Sequence, residues 1–462
     1  MIVVPTFAGK TVAVLGLGKS GLSAALALKS GGAVVYAWDD NDAARKAAEE
    51  NGIAVADWMT INWADCSALI LSPGIPLNFP TPHPVIELAR ANDCQIIGDI
   101  ELLCQAQRDA RFIGITGTNG KSTTTTLLGH ILSECGELAE IGGNLGTPAL
   151  DLAPLTGNDA YVLELSSYQL DLCPTAIMDY AVLLNITPDH LDRHGGMDGY
   201  VAAKRQVFQN QSAGQVAVVG VDDAYTSKIF DDLKAHGAQQ VVAISGARTV
   251  PGGVYVMDGD LVDDLQNKAA TVLKMAEALA LTGEHNHQNA AAAYAVARMM
   301  GLASDAIARA MISYPGLVHR QERLDPLNGV LFINDSKATN PDAAAKALAS
   351  YSDIYWIAGG RAKDGGFDVL TPYMGNVRHA YLVGEAANDL EQVFGDLVPC
   401  HMSGDIQTAA RQAHDQATED QVSGSIVLFS PACASFDQFS NFEIRGDFFK
   451  KCVAALNHGD AA

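Results

Sequence analysis

The chain has 462 residues, a length that predicts about three domains at roughly 150 residues each. With 48% hydrophobic and 18% charged residues, its composition is that of a folded globular protein and excludes a disordered or fibrous one. The net charge of -23 repels nucleic acid and anionic membrane surfaces. We therefore expect neither nucleic-acid binding nor membrane insertion, and any anionic ligand must be held by a few lysines, backbone amides or metal ions.

The cysteines and the apolar segments indicate the cellular compartment of the protein. Eight cysteines show no CxxC spacing, which argues against a disulfide framework or structural zinc and favours a reducing compartment. The apolar N-terminal stretch is interrupted at Lys19, and no apolar run is long enough to cross a bilayer. We therefore expect a cytoplasmic protein.

The first segment predicts a strand, a glycine turn and a helix in close succession. A strand over Thr11–Leu15 leads into the turn Gly16–Gly21, a helix follows, and Val34–Trp38 forms the next strand. Further strands end near Ser72 and Ile97. This alternation continues along most of the chain and predicts an α/β fold, with parallel sheets flanked by helices.

The turn Gly16–Gly21 has the GxGxxG pattern, and Asp39 stands at the end of the following strand. This spacing alone indicates a dinucleotide such as NAD, with Asp39 beside the ribose. The same backbone geometry and helix N-terminus also suit the diphosphate of a UDP-sugar. A purely structural tight turn is the third interpretation.

A second glycine loop, Gly117–Thr123, joins a strand over Arg111–Thr116 to a helix and predicts a new domain that begins near Asp99. The loop is a shortened phosphate-binding loop. Its backbone amides would cradle phosphates, Lys121 would supply a compact charge and Ser122 would ligate Mg²⁺. A capped helix after a strand is the alternative.

Polar side chains follow the next two predicted strands. The strand over Tyr161–Leu165 carries Glu164, an acid placed where a phosphate-binding loop needs a magnesium ligand. The strand over Ala181–Ile186 leads to His190 at its carboxyl end, the edge where doubly wound sheets bind ligands. A surface or capping histidine is the alternative for His190.

Two further segments of this domain carry less information. A predicted helix over residues 199–208 contains Lys204, and its pattern alone predicts an exposed lysine. Residues 216–268 are acidic and rich in Asp and Val, which predicts a β-rich excursion of the same domain without recognisable chemistry.

A third block begins after the breaker pair in Tyr314–Leu317, and we set its boundary at about residue 316. Its strands are predicted near residues 330–333, 354–358, 380–383 and 426–429. Polar loops follow three of them, at residues 334–341, 359–363 and 430–435. Each loop alone suits an ordinary turn, but three at one sheet edge predict a second binding surface.

Six motifs occur in one order along the chain: GTNGKST, LELSSYQL, NITPDHLDRH, HNHQN, INDSKATNP and SPACASFDQF. This set resembles the Mur ligases of peptidoglycan synthesis, and the resemblance covers essentially the whole chain. INDSKATNP with SPACASFDQFSNFE is most similar to the members that add D-glutamate. The resemblance implies three domains: a Rossmann-like UDP-binding domain over 1–98, a central P-loop ATPase domain over 99–316 and a Rossmann-like amino-acid-binding domain over 317–462.

The resemblance also implies roles for individual residues. ATP would be bound by Gly117, Thr118, Asn119, Gly120, Lys121, Ser122 and Thr123, and bordered by Asn286, Asn289, Arg320 and Asp335. The catalytic residues would be Lys121, Glu164, His190 and Lys204, the last as a carbamylated lysine. Two Mg²⁺ ions would be held by Ser122, Glu164, His190 and the modified Lys204.

The other two substrates have their own implied residues. The UDP-muramoyl substrate would lie along Gly18, Ser20, Asp39, Ser72, Gly74 and Asn144. D-Glutamate would be held by Lys337, Thr339, Lys363, Ser435 and Phe442. One departure stands beside Lys363, where this chain has Ala362 and the family often has an acid.

The activity implied by the resemblance is ATP-dependent addition of D-glutamate to UDP-N-acetylmuramoyl-L-alanine through an acyl phosphate. The protein would act as a monomer, and its domains would close because ATP and the amino acid are held by different ones. Three rival interpretations remain from the residues: a nicotinamide oxidoreductase, a P-loop protein that transfers no group, and a sister ligase that adds another amino acid.

Overall fold

The computed structural model describes residues 1–281, 283–363 and 365–457. The chain divides into two compact units, Met1–Tyr314 and Pro315–Ala462. The first unit contains two sheets and the second contains one. The elements alternate between strand and helix along most of the chain, which confirms the predicted α/β class.

The first sheet has five parallel strands in the order β3-β2-β1-β4-β5. Its strands are β1 Thr11–Leu15, β2 Val34–Trp38, β3 Ala54–Val55, β4 Cys66–Leu71 and β5 Gln95–Ile97. The helices of this part are α1 Lys19–Ser30, α2 Asp42–Glu50, α3 Pro84–Ala91 and α4 Asp99–Ala106. The central strands β1 and β4 are almost entirely buried because helices cover both faces of such a sheet.

The second sheet has nine strands in the order β14-β13-β12-β11-β10-β9-β6-β8-β7. Its strands are β6 Arg111–Thr116, β7 Ala139–Gly143, β8 Ala160–Glu164, β9 Tyr180–Leu183, β10 Val216–Gly220, β11 Gln240–Ser245, β12 Val254–Met257, β13 Asp260–Asp263 and β14 Ala270–Lys274. The pairings are parallel from β7 to β12 and antiparallel beyond. Parallel order places the carboxyl ends of β6, β8 and β9 at one edge.

Helices pack against this sheet and complete its core. They are α5 Lys121–Glu134, α6 Ser167–Leu170, α7 Leu191–His194, α8 Met197–Arg205, α9 Ala224–His236, α10 His287–Met299 and α11 Ser304–Ser313. Alanines and other side chains of α10 are buried from residue 288 to residue 297, because small side chains let this helix pack closely within the core.

The segment 216–268 contains more helix than its composition predicts. Its strands extend the second sheet, as expected, but the 13-residue helix α9 lies between β10 and β11. The side chain of Asp223 caps this helix by accepting hydrogen bonds from the backbone N–H groups of Tyr225 and Thr226, both at 2.9 Å. The excursion is therefore a mixed α/β extension.

The second unit is built on a six-stranded sheet in the order β15-β16-β20-β17-β18-β19. Its strands are β15 Glu322–Leu327, β16 Val330–Asn334, β17 Ile354–Gly359, β18 Val377–Val383, β19 Cys400–Gly404 and β20 Ile426–Phe429. Its helices are α12 Pro341–Ser350, α13 Ala387–Phe394, α14 Ile406–Asp420 and α15 Phe442–Asn457. Among the strands that the structure describes in this sheet, only β15 and β16 pair antiparallel, so the polar loops after β16, β20 and β17 share an edge.

Across the described ranges, no helix combines the length and apolar character that crossing a membrane requires. All eight cysteines are unpaired thiols.

Candidate active site

The phosphate-binding loop connects β6 to α5 through two glycines with positive φ. Gly117 has φ +155° and Gly120 has φ +84°, and Gly120 is the residue at which α5 is capped. A Cβ on Gly120 would overlap the side-chain oxygen of Asn289, so both the backbone conformation and the space require glycine there. The start of α5 therefore presents backbone N–H groups at a helix N-terminus, the usual geometry for phosphate.

The segment after β9 holds the other side of this loop. The backbone carbonyl of Asn185 accepts a hydrogen bond from the Thr118 N–H at 2.8 Å, and its side-chain oxygen accepts one from the Asn119 N–H at 2.9 Å. The Asn185 amide in turn donates to Gln288 at 2.9 Å. The loop shape is thus set by neighbouring residues of the same unit.

Two lysines converge on one carbonyl of the loop. Lys121 Nζ donates to the carbonyl oxygens of Gly117 and Thr118 at 2.9 and 2.8 Å. Lys204 Nζ, which comes from α8, donates to the same Gly117 carbonyl at 2.8 Å. The structure therefore brings two of the four predicted catalytic residues together.

The expectation that Lys204 is exposed is wrong. Its side chain is 2% exposed, with Nζ lying 4.7 Å from the centre of the Tyr200 ring. Burial and, to a smaller extent, the neighbouring charge of Lys121 lower the pKa of Lys204 to about 7, although the charges of Asp189 and Glu164 oppose the shift. A buried lysine with this pKa is largely a neutral amine above neutral pH.

Glu164 ends β8, next to β6 in the sheet. One carboxylate oxygen accepts a hydrogen bond from the Asn144 side chain at 2.6 Å. The other, Oε2, is buried and has no hydrogen-bond partner among the described residues. A buried carboxylate oxygen left open in this way suits a divalent cation, because Mg²⁺ takes oxygen ligands.

His190 lies on the segment that follows β9, and its side chain faces solvent. It stands at the start of α7 with φ +50°, its side chain is exposed, and its ring centre lies 5.4 Å from that of Tyr168. Its Nε2 lies 3.6 Å from a carboxylate oxygen of Asp189. The histidine is therefore accessible to a ligand at the carboxyl edge of the sheet.

The first glycine turn is closed by two side chains predicted to bind the UDP substrate. Asp39 accepts hydrogen bonds from the backbone N–H groups of Leu17 at 2.6 Å and Asn41 at 2.8 Å. Ser72 Oγ donates to the Gly16 carbonyl at 2.8 Å. Both residues thus fix the turn that leads into α1, whose N-cap is Gly18 and whose first turn contains Ser20.

The second unit gathers most of the remaining predicted residues after β16 and β20. Asp335 is buried, and it accepts hydrogen bonds from Ser430 Oγ at 2.7 Å and the Gln321 N–H at 3.1 Å. Burial raises the pKa of Asp335 to about 7, which these bonds and the charge of Arg320 oppose. Arg320 therefore lies close enough to act on the charge of Asp335.

The predicted amino-acid-binding residues occupy neighbouring loops of this unit. Lys337 Nζ lies 5.6 Å from the centre of the Phe442 ring, and the Thr339 N–H donates to the Lys337 carbonyl at 2.8 Å. Ser435 is buried in the loop after β20. Lys363 is exposed at the end of the segment that follows β17.

Comparison with known proteins places this geometry in a family. Residues 115–297 match the Mur ligase middle domain, and residues 319–433 match the Mur ligase, glutamate ligase domain. The UDP-N-acetylmuramoylalanine--D-glutamate ligase of Rhodospirillum rubrum is 49% identical over 461 residues, which cover 99% of this chain and 97% of that protein. This chain belongs to the Mur ligase family. The predicted resemblance is confirmed, and the nicotinamide oxidoreductase interpretation is set aside.

Other relatives agree with this Mur ligase in sequence or fold. The enzyme of the same name from Caulobacter vibrioides is 47% identical over 465 residues, covering 99% of this chain and 98% of that one. A solved UDP-N-acetylmuramate-alanine ligase from Thermotoga maritima has a TM-score of 0.55 at 17% identity, covering 97% of this chain and 99% of that one. The solved structure shows a likeness of fold.

Sequence reasoning missed Arg193 of this Mur ligase. Its guanidinium donates to the carbonyls of Gly74 at 3.0 Å and Pro73 at 3.4 Å, and lies 4.5 Å from the centre of the Tyr168 ring. It thereby ties the loop after β4, predicted to bind the UDP substrate, to the segment that carries His190. Its place three residues after His190, within NITPDHLDRH, was the available signal.

His194 is the second residue that was missed. It is buried, its ring is stacked on Tyr168 with centres 5.4 Å apart, and its Nε2 lies 2.9 Å from Ser167 Oγ. Burial lowers the pKa of His194, and the charge of Lys204 acts in the same direction. His194 connects α6, which follows Glu164, to the turn that precedes α8, and with Arg193 it lines a cavity of about 170 Å³.

Proposed function

We propose that this Mur ligase adds D-glutamate to UDP-N-acetylmuramoyl-L-alanine at the expense of ATP, in cytoplasmic synthesis of peptidoglycan precursors. The observation that carries the proposal is the likeness over 99% of the chain to ligases that bear this activity in their names. The phosphate-binding loop, with two lysines on one carbonyl and an open carboxylate oxygen beside it, supplies the chemistry that such a reaction needs.

The proposed reaction has two steps. A carboxylate oxygen of the L-alanyl group attacks the γ-phosphorus of ATP, and the bond between that phosphorus and the oxygen of the β-phosphate breaks. The products of this step are ADP and an acyl phosphate. The amine of D-glutamate then attacks the acyl carbon, phosphate leaves with the bonding electrons, and the new amide nitrogen loses a proton. Activation is needed because a free carboxylate resists attack by an amine.

We assign ATP binding to the loop Gly117–Thr123, with Asn286 and Asn289 beside it and with Arg320 and Asp335 of the second unit. The Gly120–Asn289 contact and the helix N-terminus at Lys121 support the phosphate end of this assignment. Lys121 would exchange its bonds to loop carbonyls for phosphate oxygens and so offset charge in the transferring group.

We assign two Mg²⁺ ions to Ser122, Glu164, His190 and carbamylated Lys204. The buried open oxygen of Glu164 and the position of Ser122 in the first turn of α5 support this ligand set. Bound Mg²⁺ would supply positive charge where a carboxylate and the ATP phosphates come together.

The proposed carbamate on Lys204 forms when the neutral, buried amine of this side chain reacts with CO₂. Its nitrogen bonds to the carbon of CO₂ and loses a proton, so that the neutral amine becomes an anionic group with oxygen ligands. Burial supports the step, because lowering the pKa of Lys204 to about 7 leaves the amine available without a neighbouring base.

We assign the UDP substrate to the edge formed by Gly18, Ser20, Asp39, Ser72 and Gly74, together with Asn144. The hydrogen bond from Asn144 to Glu164 supports this path, because it links the substrate edge to the proposed metal site. D-Glutamate would be held in the second unit by Lys337, Thr339, Lys363, Ser435 and Phe442.

We also propose that the chain works as a monomer of three domains, 1–98, 99–316 and 317–462. The three separate sheets, which end or begin near these boundaries, support the division. Sedimentation of the purified protein tests the monomer directly.

The decisive experiment measures phosphate release from ATP in the presence of UDP-N-acetylmuramoyl-L-alanine and one of several amino acids. We expect release with D-glutamate and not with L-glutamate, accompanied by a nucleotide product heavier by one glutamyl residue. Release with a different amino acid would keep the mechanism and replace the substrate. Release that needs no amino acid would overturn the ligase proposal.

A further inference from the structure

Arg445 stands in the first turn of α15, three residues after Phe442, and takes no part in the roles assigned above. It is 2% exposed, so its guanidinium is buried inside the second unit. Around it lie the loops that follow β16, β20 and β17, the three that carry Lys337, Ser435 and Lys363.

The guanidinium binds two of these loops directly. Its Nη2 donates to the Ser336 carbonyl at 2.8 Å and its Nε to the Ser336 hydroxyl at 3.1 Å. Its Nη1 donates to the Cys433 carbonyl at 3.0 Å. One planar side chain therefore fixes the backbone next to Lys337 relative to the backbone two residues before Ser435.

The start of α15 and the third loop belong to the same arrangement. Ser336 Oγ donates to the Phe442 carbonyl at 2.8 Å. Arg361 and Ala434 exchange two backbone hydrogen bonds of 2.9 Å, and a Cβ on Gly360 would lie 3.2 Å from Arg445 Nη1. The backbone that leads to Lys363 thus passes close over the guanidinium, at a glycine with φ +129°.

The charge of Arg445 has only neutral acceptors in the described part of the unit. No ion pair involves it there, and its three hydrogen bonds go to two carbonyls and a hydroxyl. Desolvation of this buried cation is offset only in part, because Asp437 acts on its charge without pairing with it. The charge that remains uncompensated favours an anionic ligand bound nearby, and D-glutamate carries two carboxylates.

We propose that Arg445 is a positioning residue for the amino-acid substrate: its forked guanidinium holds the loops of Lys337, Ser435 and Lys363 in the spacing that binds D-glutamate. The inference rests on the proposed function and adds a residue that does not itself contact the substrate. It follows that an ammonium group, which keeps the charge but lacks the fork, cannot replace Arg445.

The test compares Arg445→Lys with the wild-type enzyme in steady-state assays that vary each substrate in turn. We expect the KM for D-glutamate to rise about tenfold, because the loss of one charge-assisted hydrogen bond corresponds to a change of that size. The KM values for ATP and UDP-N-acetylmuramoyl-L-alanine should change less than about twofold. Arg378→Lys is the matched control. Arg378 pairs with Asp353 at 2.7 Å and lies at the start of β18, at the opposite sheet edge.

Ser336→Ala provides a second variant, which removes the acceptor of the Arg445 Nε–H group and the donor to the Phe442 carbonyl without changing a charge. It should raise the KM for D-glutamate by a smaller factor, and in combination with Arg445→Lys the two effects should not multiply fully, because both variants disturb the contact between Arg445 and Ser336. If Arg445→Lys fails to fold, Ser336→Ala carries the test alone.

The outcomes separate this inference from the proposed function. An unchanged KM for D-glutamate in both variants, or an equal rise in all three KM values, would overturn the role of Arg445 while leaving the ligase activity in place. A wild-type enzyme that does not use D-glutamate would instead overturn the proposed function, and with it this inference.

Discussion

Lys204 and Arg445 are two cations that are equally buried, each 2% exposed, in different units of the molecule. Within the described ranges Lys204 makes one hydrogen bond, to the Gly117 carbonyl, and burial lowers its pKa to about 7. Arg445 makes three hydrogen bonds to two residues, and burial lowers its pKa only to about 10. At neutral pH the first side chain can give up its charge, whereas the second retains it.

The difference shows how burial serves two purposes in one protein. An ammonium with a single acceptor is easily neutralised, which makes it available as a nucleophile toward CO₂. A guanidinium stays protonated and spreads several N–H groups in a plane, which suits it to fixing loops. The two sites should therefore respond in opposite ways to chemical rescue and to conservative substitution.

The largest effect is expected at Lys121, which shares the Gly117 carbonyl with Lys204. Lys121→Ala removes the charge that would meet the ATP phosphates, and turnover should fall by about 10³-fold or more. The measurement is phosphate release at saturating substrates, with thermal unfolding to establish that the variant is folded. Lys234→Ala, at an exposed site on α9, serves as the control and should retain wild-type turnover. Retention of substantial activity by Lys121→Ala would contradict the phosphate role.

The next effect is expected at Lys204. Lys204→Ala should lose about 10²-fold in turnover, and formate or acetate should restore part of it by supplying the missing carboxylate oxygens. Lys204→Arg keeps a positive charge but cannot form the carbamate, so the same acids should not restore its activity. Turnover of Lys204→Ala that is indifferent to added acids would remove the support for a carbamate.

The charge state of Lys204 gives this prediction a pH dependence. The neutral amine becomes the main form above a pKa of about 7, so enzyme stripped of CO₂ should regain activity under one fixed partial pressure of CO₂ faster at about pH 8 than at about pH 6. Recovery that is equally fast at both values, or absent, would contradict the predicted amine chemistry.

The smallest effect is expected at Arg193, which resembles Arg445 in fixing loop carbonyls but is only partly buried. Arg193→Lys should raise the KM for UDP-N-acetylmuramoyl-L-alanine by about fivefold, because the loop at Gly74 loses its brace, and should leave the KM for ATP unchanged. Arg205→Ala, whose exposed side chain pairs with Asp232, is the control. Equal changes in both KM values would indicate a general effect on the fold.

Local patterns in the sequence predicted the strand and loop units well. The strands at Thr11–Leu15, Arg111–Thr116 and Ile426–Phe429 match the predicted bounds, because each is a short apolar run ended by glycine or proline signals. The helix over Ala224–His236 was not predicted, since its Asp223 cap lies within an acidic, valine-rich stretch that favours strands. Short-range sequence patterns therefore predicted the alternation of strands and helices in this α/β fold.

The parts of the site that depend on tertiary packing could not be predicted from spacing. Lys204 has the local signature of an exposed helical residue, and only the packing of α8 against the phosphate-binding loop buries it. Arg445 also lies in an ordinary helical pattern, and its partners are more than ten residues away in the chain. Resemblance to a family identified Lys204, but Arg445 emerged only from the structure.

The contact between Gly120 and Asn289 has a consequence for the thermodynamics of nucleotide binding. Asn185 already holds the loop by hydrogen bonds and Asn289 fills the space beside Gly120, so little conformational entropy remains to be lost when phosphate binds. A side chain at position 120 would displace Asn289 and increase the conformational entropy of the unbound loop. Affinity would then fall through a larger ordering cost, even though every group that touches phosphate would still be present.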